Sequence, residues 1–200
     1  MAESAQGETG KAQRTLARLV ACTAEEISES GSFTAERVAA RAGTSVATFY
    51  SHLPTKDAAL TAAFSGAMDE LVTVVDRVLS VERLLEHGLE SVAGDFVRAS
   101  LDFFAARSLV FRFALARMPE HRALREVYRD HEGAAFRGIS RFIELGQAAG
   151  KVRQGDPLVI ARAFLVLSQG LNNPQALGLG EGDPLLGEFT RLVEALLAPD

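Results

Sequence analysis

Cysteine is nearly missing from this 200-residue chain, in which Cys22 stands alone. That excludes an intramolecular disulfide framework and any zinc site built on paired cysteines, and it fits a reducing compartment, so a cytoplasmic location is expected. Cys22 itself reads as a small buried apolar side chain. An excess of positive charge is missing too. With 21 Lys and Arg against 26 Asp and Glu, the net charge is −5. This excludes a protein that coats nucleic acid or anionic membrane through bulk charge, and it confines any nucleic-acid contact to a local face. Residues 1–10 lack the apolar core of a secretory signal and read as a disordered polar tail. The apolar run from Pro157 to Leu167 is interrupted by Arg162 and falls short of the roughly 20 residues that cross a bilayer, so no membrane partner is expected. No fixed-period repeat points to a solenoid or propeller.

Signatures of catalysis are scarce as well. There is no nucleophile elbow, no zincin motif and no carboxylate pair in an apolar setting. Gly178, Gly180 and Gly182 follow no strand and precede no phosphate-loop lysine, so they read as an interhelical connection. His87, His121 and His131 share no spacing that puts two ligands on one helical face, and neither a metal nor a cofactor is expected. The chain reads as a non-enzyme.

What is present is helical periodicity. Hydrophobic residues make up 48% of the chain, and Leu16, Leu19, Val20, Thr23 and Ile27 fall on one face of a first helix that Gly31 stops. Thr34 stands where an N-cap belongs, Val38, Ala39 and Ala42 supply a short buried face, and Gly43 suits the left-handed conformation of a sharp turn. Ser45 caps a third short helix with Phe49 and Leu53 inward, and Pro54 closes it. Thr55 caps a longer helix through Leu60, Phe64, Met68, Leu71 and Val75. The spacing then predicts helices over Val81 to Ala106, Leu109 to Met118, and Glu120 to Ala149. Two more begin after Asp156-Pro157 and Asp183-Pro184. The arginines of the Glu120 helix read as a solvated face.

A short helix, a glycine turn and a second short helix make a helix-turn-helix whose second member fits a DNA major groove about 12 Å wide. Ser45, Thr48 and Tyr50 can donate to phosphate oxygens, and Lys56 adds charge near a helix N-terminus. Arg37, Arg41 and Lys56 against Glu36 make the expected face locally basic within an acidic chain.

The residues Phe33-Thr34, Val38-Ala39, Ala42-Gly43, Ser45, Thr48-Phe49-Tyr50, Leu53-Pro54 and Lys56 resemble, in order and spacing, the DNA-binding region of the tetracycline-repressor (TetR) family. Gly150-Lys151-Val152-Arg153 followed by Asp156-Pro157 resembles a common junction of that family. The resemblance implies that Thr34, Ser45, Thr48, Tyr50, His52 and Lys56 meet the DNA backbone or adjoining groove. It implies that Val46, Ala47 and Ser51 approach base edges, with Arg37 as a further candidate. Three positions depart from the pattern: Glu36 where a base-reading cation can stand, Thr44 for an apolar turn residue, and Ala47 for a frequent glycine.

Phe96, Phe103, Phe104, Phe111 and Phe113 cluster in the middle of the chain, and the resemblance implies an effector pocket there, with Phe96, Phe103, Phe104, Phe111, Met118 and Tyr128 as candidates. The last two helices lack a full polar face and must be covered on more than one side, which points to a two-fold four-helix bundle between subunits. The interface candidates are Leu158, Phe164, Leu165, Phe189, Leu192 and Leu196.

The expected architecture is all-α: a tail over 1–10, a three-helix helix-turn-helix DNA-binding domain over 11–55, and a helical effector-binding and dimerisation domain over 56–200. The expected function is a ligand-responsive regulator, a repressor that binds a palindromic double-stranded DNA operator as a homodimer and is released by a small-molecule effector. The alternative is a helical small-molecule-binding protein or enzyme whose front motif is not functional.

Overall fold

The computed structural model describes the backbone of residues 2–180 and 182–199, with side chains from Gly10 onward. Among these residues the chain forms α1 Ala2–Ser30, α2 Ala35–Arg41, α3 Val46–His52, α4 Lys56–Val78, α5 Val81–Arg117, α6 Arg122–Ala148, α7 Pro157–Ser168, a 3₁₀ turn Gln169–Asn172, and α8 Pro184–Leu197. No strand occurs among the described residues, and the chain is all-α, as its periodicity predicts.

Two boundaries differ from the sequence reading. The backbone of α1 is helical from Ala2, where a tail over 1–10 is expected; the side chains of residues 1–9 lie outside the described residues. Good helix formers such as Ala2, Glu3, Ala5 and Gln6 are compatible with that extension. The two helices expected over Val81 to Ala106 and Leu109 to Met118 are one helix, α5, with its break at Gly88 instead (φ 81°, ψ 169°). No proline or glycine stands between Leu101 and Arg117, so nothing there interrupts the hydrogen-bond ladder.

Two compact units partition the chain, residues 1–68 with 107–128 and residues 69–106 with 129–200. The division cuts through α4, α5 and α6, whereas the sequence-derived boundary between 55 and 56 stands at the start of α4. In the first unit, Leu19, Ile27, Phe33, Val38, Phe49, Leu53, Leu60 and Phe64 are buried. Phe111 meets the Phe64 ring edge-on at 5.4 Å. α4 is apolar enough by composition to cross a membrane, with a mean hydropathy of 1.4 over its best window. Its Ala59, Leu60, Ala63, Phe64, Ala67 and Met68 are buried against the chain itself.

In the second unit Phe96 of α5 packs on Phe164 of α7 with ring centroids 4.8 Å apart. Phe164 is 1% exposed, so it is core and not the subunit-interface residue expected from the sequence. The apolar run of α7 has two faces, and Phe164 lies on the inner one with Ile160 and Ala161. The junction after α6 has a defined job here. Gly150, at φ 66°, lets Lys151 N donate to Gly146 O at 2.9 Å and its own N to Gln147 O at 3.0 Å, a Schellman closure. Val152 then drops into the core at 1% exposure. Arg153 donates through its backbone N to Leu197 O at 2.8 Å and through Nε to Leu196 O at 2.7 Å, which satisfies the last carbonyls of α8.

At Gly88 a Cβ would meet nothing within 4 Å, so only the backbone demands glycine there. The Arg83–Asp95 ion pair spans the break. Gly88→Ala is expected to destabilise the fold by about 1–3 kcal/mol through backbone strain alone, lowering Tm by roughly 2–12 °C. Thermal unfolding followed by circular dichroism checks this, and an unchanged Tm would contradict the assigned conformation.

Candidate nucleic-acid interface

The first unit presents two seven-residue helices in succession, and their ends are fixed by side chains the sequence already displays. Thr34 Oγ1 accepts from Arg37 N at 3.3 Å, and Ser45 Oγ accepts from Thr48 N at 3.1 Å. Both are N-caps of extended backbone, each of a kind worth about 1 kcal/mol. Between the helices Gly43 takes φ 64°. Thr44 N donates to Ala39 O at 2.9 Å and Gly43 N to Ala40 O at 3.1 Å, a second Schellman closure that turns the chain sharply into α3.

Phe49 and Leu53, four residues apart, are buried at 0% and 4% exposure and pin one face of α3 inward. The opposite face is thereby turned out. Ala47, Tyr50 and Ser51 are exposed, and Val46, Thr48 and His52 are half-buried. Tyr50 stands on the edge of Phe49 at 5.1 Å, which holds its ring while leaving it 43% exposed. Thr48 and Ser51 are partly engaged: Ser45 Oγ and Thr48 Oγ1 lie 2.9 Å apart, and Ser51 Oγ donates to Thr48 O at 2.8 Å. Thr34 and Ser45 are exposed at the two helix starts. Just beyond, Thr55 Oγ1 caps α4 by accepting from Ala58 N at 3.0 Å. Exposed Lys56 places Nζ 5.5 Å from the Phe33 ring centroid, within cation–π range.

The electrostatics correct the expected local basicity. Glu26 of α1 is only 3% exposed, and it takes Arg41 Nε at 2.7 Å and Arg37 Nη2 at 2.6 Å. Arg41 also pairs with Glu29 and Glu25. The two arginines counted toward a basic face are therefore matched by three glutamates of α1, which the charge count over α2 and α3 omits. Arg37 keeps 48% of its side chain exposed at the rim of the site, and among the described residues no ion pair is formed by Lys56, in contrast to Arg37 and Arg41. Glu36 is folded onto the start of α2, where its own backbone N–H and the Thr34 hydroxyl hold its carboxyl below the usual range.

The remaining candidates sit elsewhere. Phe103 and Phe104 are buried and meet edge to face at 5.4 Å; with Phe96 they belong to the second unit, whereas Phe111, Met118 and Tyr128 belong to the first. Phe96 and Phe111 spend their rings on Phe164 and Phe64. On α7 and α8, Leu158 and Leu192 are each 51% exposed, while Leu165, Phe189 and Leu196 are half-buried. Sequence reasoning missed Val159 and Val166, exposed at 64% and 63%. They line a shallow groove along α7 with Leu158, Arg162, Ala163 and Leu167. The scarcity of polar residues around α7 was the signal, but not which apolar residues face out. Also missed is Asp57, which takes Arg117 Nη1 at 3.4 Å and lies 3.8 Å from His121 Nδ1; no local pattern joins residues sixty apart. Among the described residues, no three His, Cys, Asp or Glu side chains gather as a metal site.

Arg41 supplies a test of the α1 network. Its hydrogen bond pulls the Glu29 carboxyl below the ordinary glutamate value. A lowered folded-state value gives stability that is complete above the unfolded value, about pH 4.3, and is lost as pH falls through the folded one. Arg41→Gln is expected to shrink the loss of Tm between pH 6 and pH 3, roughly the window on either side of that value. An acid limb identical to that of the parent would remove the pairing.

No family model and no curated protein matches the sequence, but solved structures do match the fold. A chain from Mesorhizobium loti, described as a TetR-family transcriptional regulator, superposes with a TM-score of 0.76 at 15% identity, covering 94% of this chain and 98% of its own. A TetR transcription regulator from Haloarcula marismortui gives 0.71 at 15% identity, with 92% and 96% covered. SmeT in complex with triclosan gives 0.66 at 19% identity, with 94% and 93% covered. From its capped front helices to α8, this chain has the fold of the TetR-family transcriptional regulators.

Proposed function

We propose that this chain is a ligand-responsive transcriptional regulator, a cytoplasmic repressor that binds a palindromic operator as a homodimer. The observation that carries the reading is α3, whose inner face is anchored by Phe49 and Leu53 while Ala47, Tyr50 and Ser51 stand exposed. Seven residues of helix with an outward face of this kind fit the major groove. Val46, Ala47 and Ser51 approach base edges. Thr34, Ser45, Thr48, Tyr50, His52 and Lys56 position the head on the phosphates, and Arg37 reaches them only by giving up part of its pairing with Glu26. The reading assigns the chain no catalytic residue and no cofactor.

The groove on α7 and the exposed Leu192 of α8 support a two-fold bundle as the dimer contact, which sets two reading heads on half-sites related by the same axis. An effector that binds the DNA-incompetent arrangement better releases the operator, with a coupling of about 1–3 kcal/mol, or roughly 5- to 150-fold in affinity. The SmeT neighbour holds triclosan, and the paired Phe103 and Phe104 rings of α5 support a small apolar molecule as effector here.

Selection from random DNA followed by affinity measurement tests the reading. Lys56→Ala is expected to weaken binding to every duplex and to reduce the salt slope by about one. Ser51→Ala or Val46→Ala is expected to change the selected bases with the slope retained. If Lys56→Ala and Tyr50→Ala both keep parental affinity, this docking is wrong. For the dimer, the pair Val166→Glu and Leu192→Glu is expected to yield monomer in sedimentation or light scattering. A soluble and fully dimeric double variant would remove α7 and α8 from the interface.

A further inference from the structure

Besides Lys56, positive charge outside the helix-turn-helix arginine pairs lies on the other end of α1. From Thr9 to Ala24 the chain carries Lys11, Arg14 and Arg18 and no carboxylate. Their spacing of three and four residues puts them on one helical face. Between Gly10 and Arg18 no side chain is buried, and Leu19 is the first that is, at 0% exposure. The front of α1 thus leaves the core as an exposed helical arm. Glu3 and Glu8 precede it, on residues whose side chains are not described.

Its place is set by one contact. Arg18 Nη1 donates to Ala42 O at 3.2 Å, the carbonyl of the residue that ends α2 just before the turn into α3. The arm therefore passes beside the recognition turn. Lys11 lies about 10.5 Å further along the helix axis at 1.5 Å per residue, roughly the rise of three nucleotides on one strand. Among the described residues no ion pair engages Lys11, Arg14 or Arg18, in contrast to Arg37 and Arg41, which the glutamates of the same helix hold.

We propose that the amino-terminal arm of α1 is a second DNA-contacting element, with Lys11 and Arg14 binding phosphates of the duplex that flanks the half-site read by α3. The inference rests on the proposed function and extends the footprint of each head outward. Arg18 is a positioning residue in this account, since its guanidinium is committed in part to Ala42. The arm contributes affinity and leaves base preference to α3, because phosphate contacts carry no sequence information.

The test uses the full chain and two duplexes containing the selected sequence, one trimmed to it and one with roughly one helical turn, about 10 base pairs, added on either side. The parent is expected to bind the longer duplex more tightly. Lys11→Ala with Arg14→Ala is expected to lose about fivefold affinity per contact on the longer duplex near 0.15 M salt and to reduce the salt slope by about two. The same bases should be selected, and the preference for the longer duplex should vanish. Both positions are exposed and alanine favours helix, so Tm and helicity serve as controls for folding. A parent that binds duplex while the double variant matches its affinity and slope overturns this inference and leaves the proposed function standing. A parent that binds no duplex overturns both.

Discussion

Glu26 is a carboxylate taken almost wholly out of water, and two guanidiniums meet it there, Arg41 Nε at 2.7 Å and Arg37 Nη2 at 2.6 Å. An unpaired charge in that position would be strongly destabilising, so α1 and α2 must keep the registry that brings these groups together. That registry fixes α2, and the Schellman turn at Gly43 then fixes α3. Arg41 adds Glu29 and Glu25 from the solvent side. The exposed face of α3 thus owes its attitude to a buried acid on α1.

The same network decides where free positive charge remains. An acidic chain can grip a polyanion only through cations its own carboxylates do not neutralise, since exposed pairs are screened and held cations release fewer counterions. With Arg37 and Arg41 held, Lys56 stands at one edge of α3 and the arm of α1 stands beside the turn that enters it. The outward face of α3 carries small and hydroxylated side chains, Ala47, Ser51 and Thr48, with Tyr50 braced on Phe49.

Local chemistry was legible from the residues themselves. Thr34, Ser45, Thr55, Asp156 and Asp183 announce helix starts, and in the structure each of these side chains accepts from a backbone N–H of the first turn. Gly43 and Gly150 announce the turns, and both take positive φ. The inward pair Phe49 and Leu53 follows from helical spacing alone. What stayed hidden depends on partners far apart in the chain. The charges of Arg37 and Arg41 count as free until Glu25, Glu26 and Glu29 are brought beside them. Phe164 looks like Val166 in a mostly apolar helix until Phe96 packs on Phe164 while Val166 stays exposed. Gly88 resembles Gly94, also within α5, until the backbone shows which of them leaves the helical region.

The central proposal is that α3 discriminates among duplexes while cations outside the glutamate network of α1 supply the grip. Its most direct measurement is the equilibrium affinity of the purified chain for its selected duplex and for a scrambled duplex of equal length, across a salt series. The account predicts at least a roughly thousandfold preference for the selected sequence, with both affinities falling linearly on a log–log salt plot. Equal affinity for the two duplexes, or affinity indifferent to salt, would contradict it.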